Sequence, residues 1–263
     1  MATAFLWRLL PITTLTVRQF MGGNAVRVVA ALAFIPCLFA GIYLINTDVS
    51  TPREFLVELF LNILIAPTLL PITVLILATA ALGNEVEDRT LPYLTLKPIG
   101  RLRIVLEKLA GVLVIALPTV LVGLAATALI VSLGQDDYGR LARRFSGTLD
   151  LGPVVWAMLG AAAVGVVATS AIFLAVSLIV PRALLAGIIY AFAWESLLGR
   201  FLPGIRLVSI RHYVQSTFVA LLDDPGVTIG GATSLRGSLL TLGIASLLAL
   251  TFAAWRLRHM NLE

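Results

Sequence analysis

The side chains able to do chemistry in this 263-residue chain are few and bunched. The densest group lies between 83 and 108, in the stretch GNEVEDRTLPYLTLKPIGRLRIVLEK. Its acids come first, as Glu85, Glu87 and Asp88, and its bases later, as Lys97, Arg101, Arg103 and Lys108, with Leu91, Tyr93, Leu94 and Leu96 as an apolar patch between them. Acids at a helix start and bases near a helix end suit the helix dipole. The apolar patch suits a segment that lies along a membrane surface or docks into a groove on a partner. Simple connectors are short, so 26 residues of this composition are expected to do more than connect.

Signatures of self-contained catalysis are missing from the sequence. There is no G-x-x-x-x-G-K-[ST] phosphate loop, so any ATP hydrolysis is expected on another chain, and there is no G-x-S-x-G or H-E-x-x-H. His212 and His259 have no partner at metal-ligand spacing, and Cys37 is the single cysteine, inside an apolar run. No metal site and no cofactor are therefore expected, and Cys37 reads as packing. An enzyme acting on lipid within the membrane would draw its acid and base from Glu195, His212, Asp223 or Asp224. That reading, and a non-transporting assembly or sensory protein, are the alternatives to a transport subunit.

These groups must be positioned by membrane-spanning helices. Hydrophobic residues make up 59% of the chain, charged residues 13%, and the mean hydropathy is +1.01, which no soluble domain of this length matches. About 20 apolar residues cross about 30 Å of hydrocarbon. The charge-free runs predict six spans, at about 28–45, 59–82, 109–133, 151–180, 183–199 and 237–255, in one transmembrane domain. The fifth is short, because Ala183 to Trp194 is uncharged for only 12 residues before Glu195 and Arg200, and Pro181-Arg182 make a tight turn ahead of it. The first run is read as a retained span, not a cleaved signal. Arginines and lysines divide eleven to eight in favour of the side holding both termini, with Arg211 counted on the opposite side. That places the termini in the cytoplasm. The bases sit at the ends of apolar runs, where lipid headgroups are nearer partners than nucleic acid.

Ion-coupled transporters place ionisable groups inside the membrane. Five of these six runs carry none, and Glu195 reads as an interfacial carboxylate beside Trp194, paired with Arg200. An energy source other than an ion gradient is implied. Pro36, Pro67, Pro71 and Pro118 each remove a backbone donor within a run, and the Pro67/Pro71 pair is a candidate flexible point. Gly160, Ala161, Gly165 and Thr169 suit close helix packing. Further on, Leu207, Ile210, Val214, Phe218 and Leu221 recur at helical spacing with Ser209, His212 and Ser216 on the other side, which predicts an amphipathic helix ended by Asp223-Asp224-Pro225-Gly226.

The polar stretch resembles the permeases of the type-2 exporter family of ATP-binding-cassette (ABC) transporters. There span two ends in a pattern like E-x-E-x-G-T-L, followed by a leucine-rich stretch, a proline, an arginine and a lysine that opens span three. Glu85, Glu87, Thr90, Leu91, Leu94, Pro98, Arg101 and Lys108 stand in those places, and Arg89 stands where glycine is common. The resemblance implies an all-α polytopic fold with an amino-terminal interfacial helix in 1–27, a cytoplasmic coupling helix in 83–108 and a re-entrant outer segment in 200–236. It implies that the coupling segment, with Asp88 and Arg89 among its residues, rests on a separate ATPase subunit that holds ATP and Mg, and that Arg182 makes a second contact there. It further implies a second permease copy in the assembly, an outer gate near Glu195, Ile210, Val214 and Phe218, export as the direction, and the cell inner membrane as the location.

Overall fold

The computed structural model describes residues 11–45, 50–83, 85, 100–133, 150–180, 183–189 and 209–259. Among these, every regular element is helical. Five helices are long and apolar enough to cross a bilayer: Asn24–Ile45, Pro52–Gly83, Arg101–Leu133, Gly152–Val176 and Leu235–His259. The chain is an all-helical, multi-pass membrane protein.

A short helix, α1 (Pro11–Gly22), precedes the first span. Proline at its first position loses no bond, because the first amides of a helix have no partner within it. The first span is broken into α2 (Asn24–Ala33) and α3 (Ile35–Ile45). Pro36 cannot donate to the turn before it, and the break falls at Phe34, two residues upstream.

The second span starts with α4 (Pro52–Glu58). Thr51 accepts the Glu54 amide at 3.2 Å while the Glu54 carboxylate accepts the Thr51 amide at 3.0 Å, a reciprocal cap that fixes where the span begins. It continues as wide π turns over Leu59–Ile63 and Ile65–Leu69, then α5 (Leu70–Ala78) and a last π turn over Thr79–Gly83. Leu64 and Leu69 donate to carbonyls five residues back, so the irregularity lies immediately ahead of and around Pro67. Pro118, by contrast, sits inside an unbroken α6 (Arg101–Leu133).

The fourth span is α7 (Gly152–Val176), and 177–180 is turn, so it ends before the expected limit at 180. A seven-residue α8 (Ala183–Ile189) follows. It is the described part of the span expected at 183–199, and 190–199 lie outside the described residues. Then come α9 (Ile210–Leu222) and the last span, α10 (Leu235–His259). The polar stretch expected as a loop through 108 gives way to helix earlier, at Arg101, because Leu102, Ile104, Val105 and Leu106 continue directly into the apolar run.

The second and fourth spans form the centre. In their most apolar stretches 67% and 61% of residues are buried, against 28% in the first and last spans, which lie at the periphery. Small residues set the approach distances. A Cβ at Gly123 of α6 would overlap the Ala33 carbonyl oxygen, and one at Gly165 of α7 would lie 3.0 Å from Leu70 and 3.1 Å from Val214. Cys37 packs in the same seam as Gly123, its sulfur 3.4 Å from the Thr127 hydroxyl. Without hydrophobic attraction between helices in lipid, such close packing is what holds them together.

Candidate functional site

Two adjacent residues of α6 organise one end of the bundle. Successive helical residues point about 100° apart, so Glu107 and Lys108 reach different neighbours. The Lys108 side chain is completely buried and its Nζ donates to Glu85 Oε1 at 2.5 Å. Glu85 follows the last π turn of the second span, and its side chain is 10% exposed. The pair therefore bolts the end of the second span to the start of the third.

Glu107 faces α1. Its Oε2 accepts the amides of Ile12 at 2.9 Å and Thr13 at 3.4 Å, while the Thr13 hydroxyl donates to the Glu107 backbone oxygen at 2.9 Å. The first amides of α1 have no partner within their own helix, and a carboxylate there also meets the positive end of the dipole. Another helix thus supplies the cap. Arg103, one turn away on α6, donates from Nε to Glu107 Oε1 at 2.7 Å and neutralises the buried acid from its exposed side. Beyond this clamp α1 lies flat on α6, where a Cβ at Gly111 would come within 2.9 Å of Thr16. Removing the carboxylate in Glu107→Ala leaves two buried amides unsatisfied, at about 1–3 kcal/mol each before any relaxation. The expected result is faster hydrogen exchange across 12–20 with the spans unchanged, read by exchange mass spectrometry in detergent.

Of the residues expected to couple to an ATPase, Glu85 and Lys108 are brought together, and Arg101 stands as the first residue of α6. Glu87, Asp88, Arg89, Thr90, Leu91, Leu94, Pro98 and Arg182 lie outside the described residues. Glu107 was not singled out from the sequence. The signal available was local: it stands four residues after Arg103, at ion-pair spacing on one helix face.

At the other end of the bundle α9 is wedged between the second and fourth spans. Phe218 stacks on Phe60 at 4.6 Å, Val214 packs on Gly165, and the Gln215 amide donates to the Leu61 backbone oxygen at 2.5 Å, in the π-helical stretch. Neighbouring side chains commonly satisfy the backbone where a membrane helix is irregular. The gate candidates Val214 and Phe218 are buried and Ile210 is partly buried, while Glu195 lies outside the described residues. Arg53 at the start of α4 holds Asp224 at 2.6 Å, and Asp223 ends α9 in the left-handed conformation at φ 50°. The ion pair puts the carboxyl end of α9 at the bundle end where the second span begins.

The side of α9 that carries His212 and Ser216 is buried as well, because the chain after the helix folds back over it, Gly231 offering its carbonyl to His212 Nε2 at 3.0 Å and Thr233 its amide to Ser216. Leu221, which shares the helical spacing of Val214 and Phe218, is 41% exposed and lies beside Gly160 of α7. Arg211, counted with the bases opposite the termini, lines a cavity with Ala66, Leu70, Pro71, Thr169 and Phe173, beside the middle of the second span and the last third of the fourth. The amino end of α9 penetrates the bundle, and a count of charges along the sequence has no means of registering that. As acid and base candidates, His212 and Asp224 are engaged in these contacts, which tie the loops together. Among the described residues no group of three or more His, Cys, Asp or Glu could hold a metal ion. The chain matches no family model and no curated protein.

Proposed function

We propose that this chain is the membrane-spanning permease subunit of an ATP-driven exporter of the ABC type, coupled to ATPase subunits on separate chains. The observation that carries the reading is the buried Lys108–Glu85 pair. It closes the polar stretch at its base, joining residues 23 positions apart, so that the intervening segment is tied at both ends to membrane helices. A push on that segment is delivered to the second and third spans together, and through Glu107 to α1. In this reading the segment between Glu85 and Arg101 is the coupling helix, held at the cytoplasmic face of the inner membrane with both termini on that side. The span expected at 183–199 completes six, and a second permease copy completes the path.

At the far end α9 serves as the outer gate. It rests on the π-helical part of the second span, where Pro67 and Pro71 weaken the backbone ladder, so that a shift of this span moves Phe60 and Leu61 against Phe218 and Gln215. The resemblance of Glu85, Glu87, Thr90, Leu91, Pro98 and Lys108 to the type-2 exporter pattern, and the lack of a phosphate loop in the sequence, support the same reading. Mild extraction of the tagged chain from its native membrane is expected to bring down a Walker-motif ATPase in comparable amount. Repeated recovery without one, under conditions that keep other membrane complexes whole, counts against the proposal.

A further inference from the structure

A second feature lies away from both ends of the bundle. Between α6, α7 and α10 runs an open groove of about 360 Å³, walled by Leu117, Ala163, Val164, Val167, Ala168, Leu239, Leu242, Gly243 and Ser246. Leu117 is the central residue of α6 and Val164 that of α7, while Leu239 to Ser246 lie in the amino-terminal half of α10, so the groove runs from the middle of these helices toward the amino end of α10. Eight of the nine wall residues are apolar or glycine, and the exception, Ser246, donates its hydroxyl to the Leu242 carbonyl at 2.7 Å. Nothing in the wall recruits water, since an ordered water needs two or more polar partners. Gly243 opens the groove further: a Cβ there would meet no atom within 4 Å.

We infer that this groove is a binding site for a single acyl chain of a bilayer phospholipid. The membrane-length helices place it in hydrocarbon, which supplies that occupant directly. Its volume equals that of about a dozen waters, and a methylene group is of similar size, so it takes most of one chain and not a bundle of them. Small residues at Ala163, Ala168 and Gly243 form the hollow, and Leu239 and Val167, 40% and 39% exposed, form its rims. Arg236 is the second residue of α10, one turn before Leu239, so a basic side chain stands at the end of the helix toward which the groove runs, as suits the headgroup of such a lipid. Affinity here comes from shape, because hydrocarbon outside the groove is as apolar as its wall. The inference rests on the membrane-spanning architecture and not on the transport reading.

The test is photo-crosslinking of the full chain in nanodiscs of phosphatidylglycerol and phosphatidylethanolamine that carry a diazirine at mid-chain. Adducts are expected to concentrate on 163–168 and 239–246, and to fall about fivefold in Gly243→Leu, which fills the hollow and removes several tail contacts. Gly243→Ala, too small to fill it, is expected to keep most of the adducts. Because position 243 faces open space, both variants are expected to retain the wild-type melting temperature. Adducts spread evenly over every exposed apolar face, including Leu38 and Ile42 of α3, overturn the inference. So does a Gly243→Leu variant that loses a dimer while its lipid adducts are unchanged, which assigns the groove to a second copy.

Discussion

Replacing Lys108 with alanine is expected to be among the most damaging single changes to this protein. The ammonium is fully buried and its partner Glu85 nearly so, so removing the base leaves a carboxylate with its main counter-charge gone. Breaking one half of a buried pair costs about 3–5 kcal/mol, because the remaining charge has lost its solvation and its partner together. The loss is expected as a lower melting temperature in detergent and poor recovery from membranes. Glu85→Ala should be comparably harmful. The double variant Glu85→Leu/Lys108→Met behaves differently: apolar pairs of similar volume often match or exceed the stability of the ion pair they replace. Its melting temperature is expected near that of the wild type, which makes it the reagent that separates folding from coupling. If Lys108→Ala and the double variant are equally unstable, packing at 108, and not the charge pair, holds the two spans together.

Gly123→Val is the second large effect. A side chain at 123 would run into the Ala33 carbonyl oxygen and lie 2.9 Å from the carbonyl carbon. These are backbone atoms of a neighbouring span, with no rotamer to yield, so the first and third spans must part. Cys37 and Thr127, which close the seam, lose their contact as well. Overpacking typically costs about 1–3 kcal/mol, and a backbone clash across two spans belongs at or above the upper end. Thermal unfolding should show a large loss for Gly123→Val and almost none for Gly41→Ala, since a Cβ at 41 meets nothing within 4 Å. Equal stability of the two variants would mean that the first and third spans do not pack through this seam.

What was legible in the sequence followed from the bilayer. Charge is expelled from hydrocarbon, so the charge-free runs located the five membrane-length helices among the described residues to within a few positions at most ends. Pro36 and the Pro67/Pro71 pair marked the irregular places in two spans, since a missing donor is a local property. Gly165, a candidate for close packing, does face Leu70 and Val214. In the candidate site, Glu85 and Lys108 were legible as members of one motif, though not as partners.

The illegible part was long-range. Glu107 caps a helix 95 positions away through backbone amides, which carry no residue identity for a motif to match. The cover over His212 and Ser216 was not legible either, because hydropathy periodicity describes one helix and not the chain that folds back over it. The position of Arg211 among residues of the second and fourth spans was illegible for a related reason: no long apolar run in its own helix announces the contact.

The measurement that bears most directly on the permease reading is the ATP hydrolysis rate of the complex recovered with this chain, in lipid, for the wild type and for Glu85→Leu/Lys108→Met. The expected result is a rate that depends on the presence of the wild-type membrane subunit and loses that dependence in the double variant, at unchanged melting temperature. A chain that recovers no ATPase activity, or a double variant that stimulates hydrolysis as well as the wild type, would contradict the account.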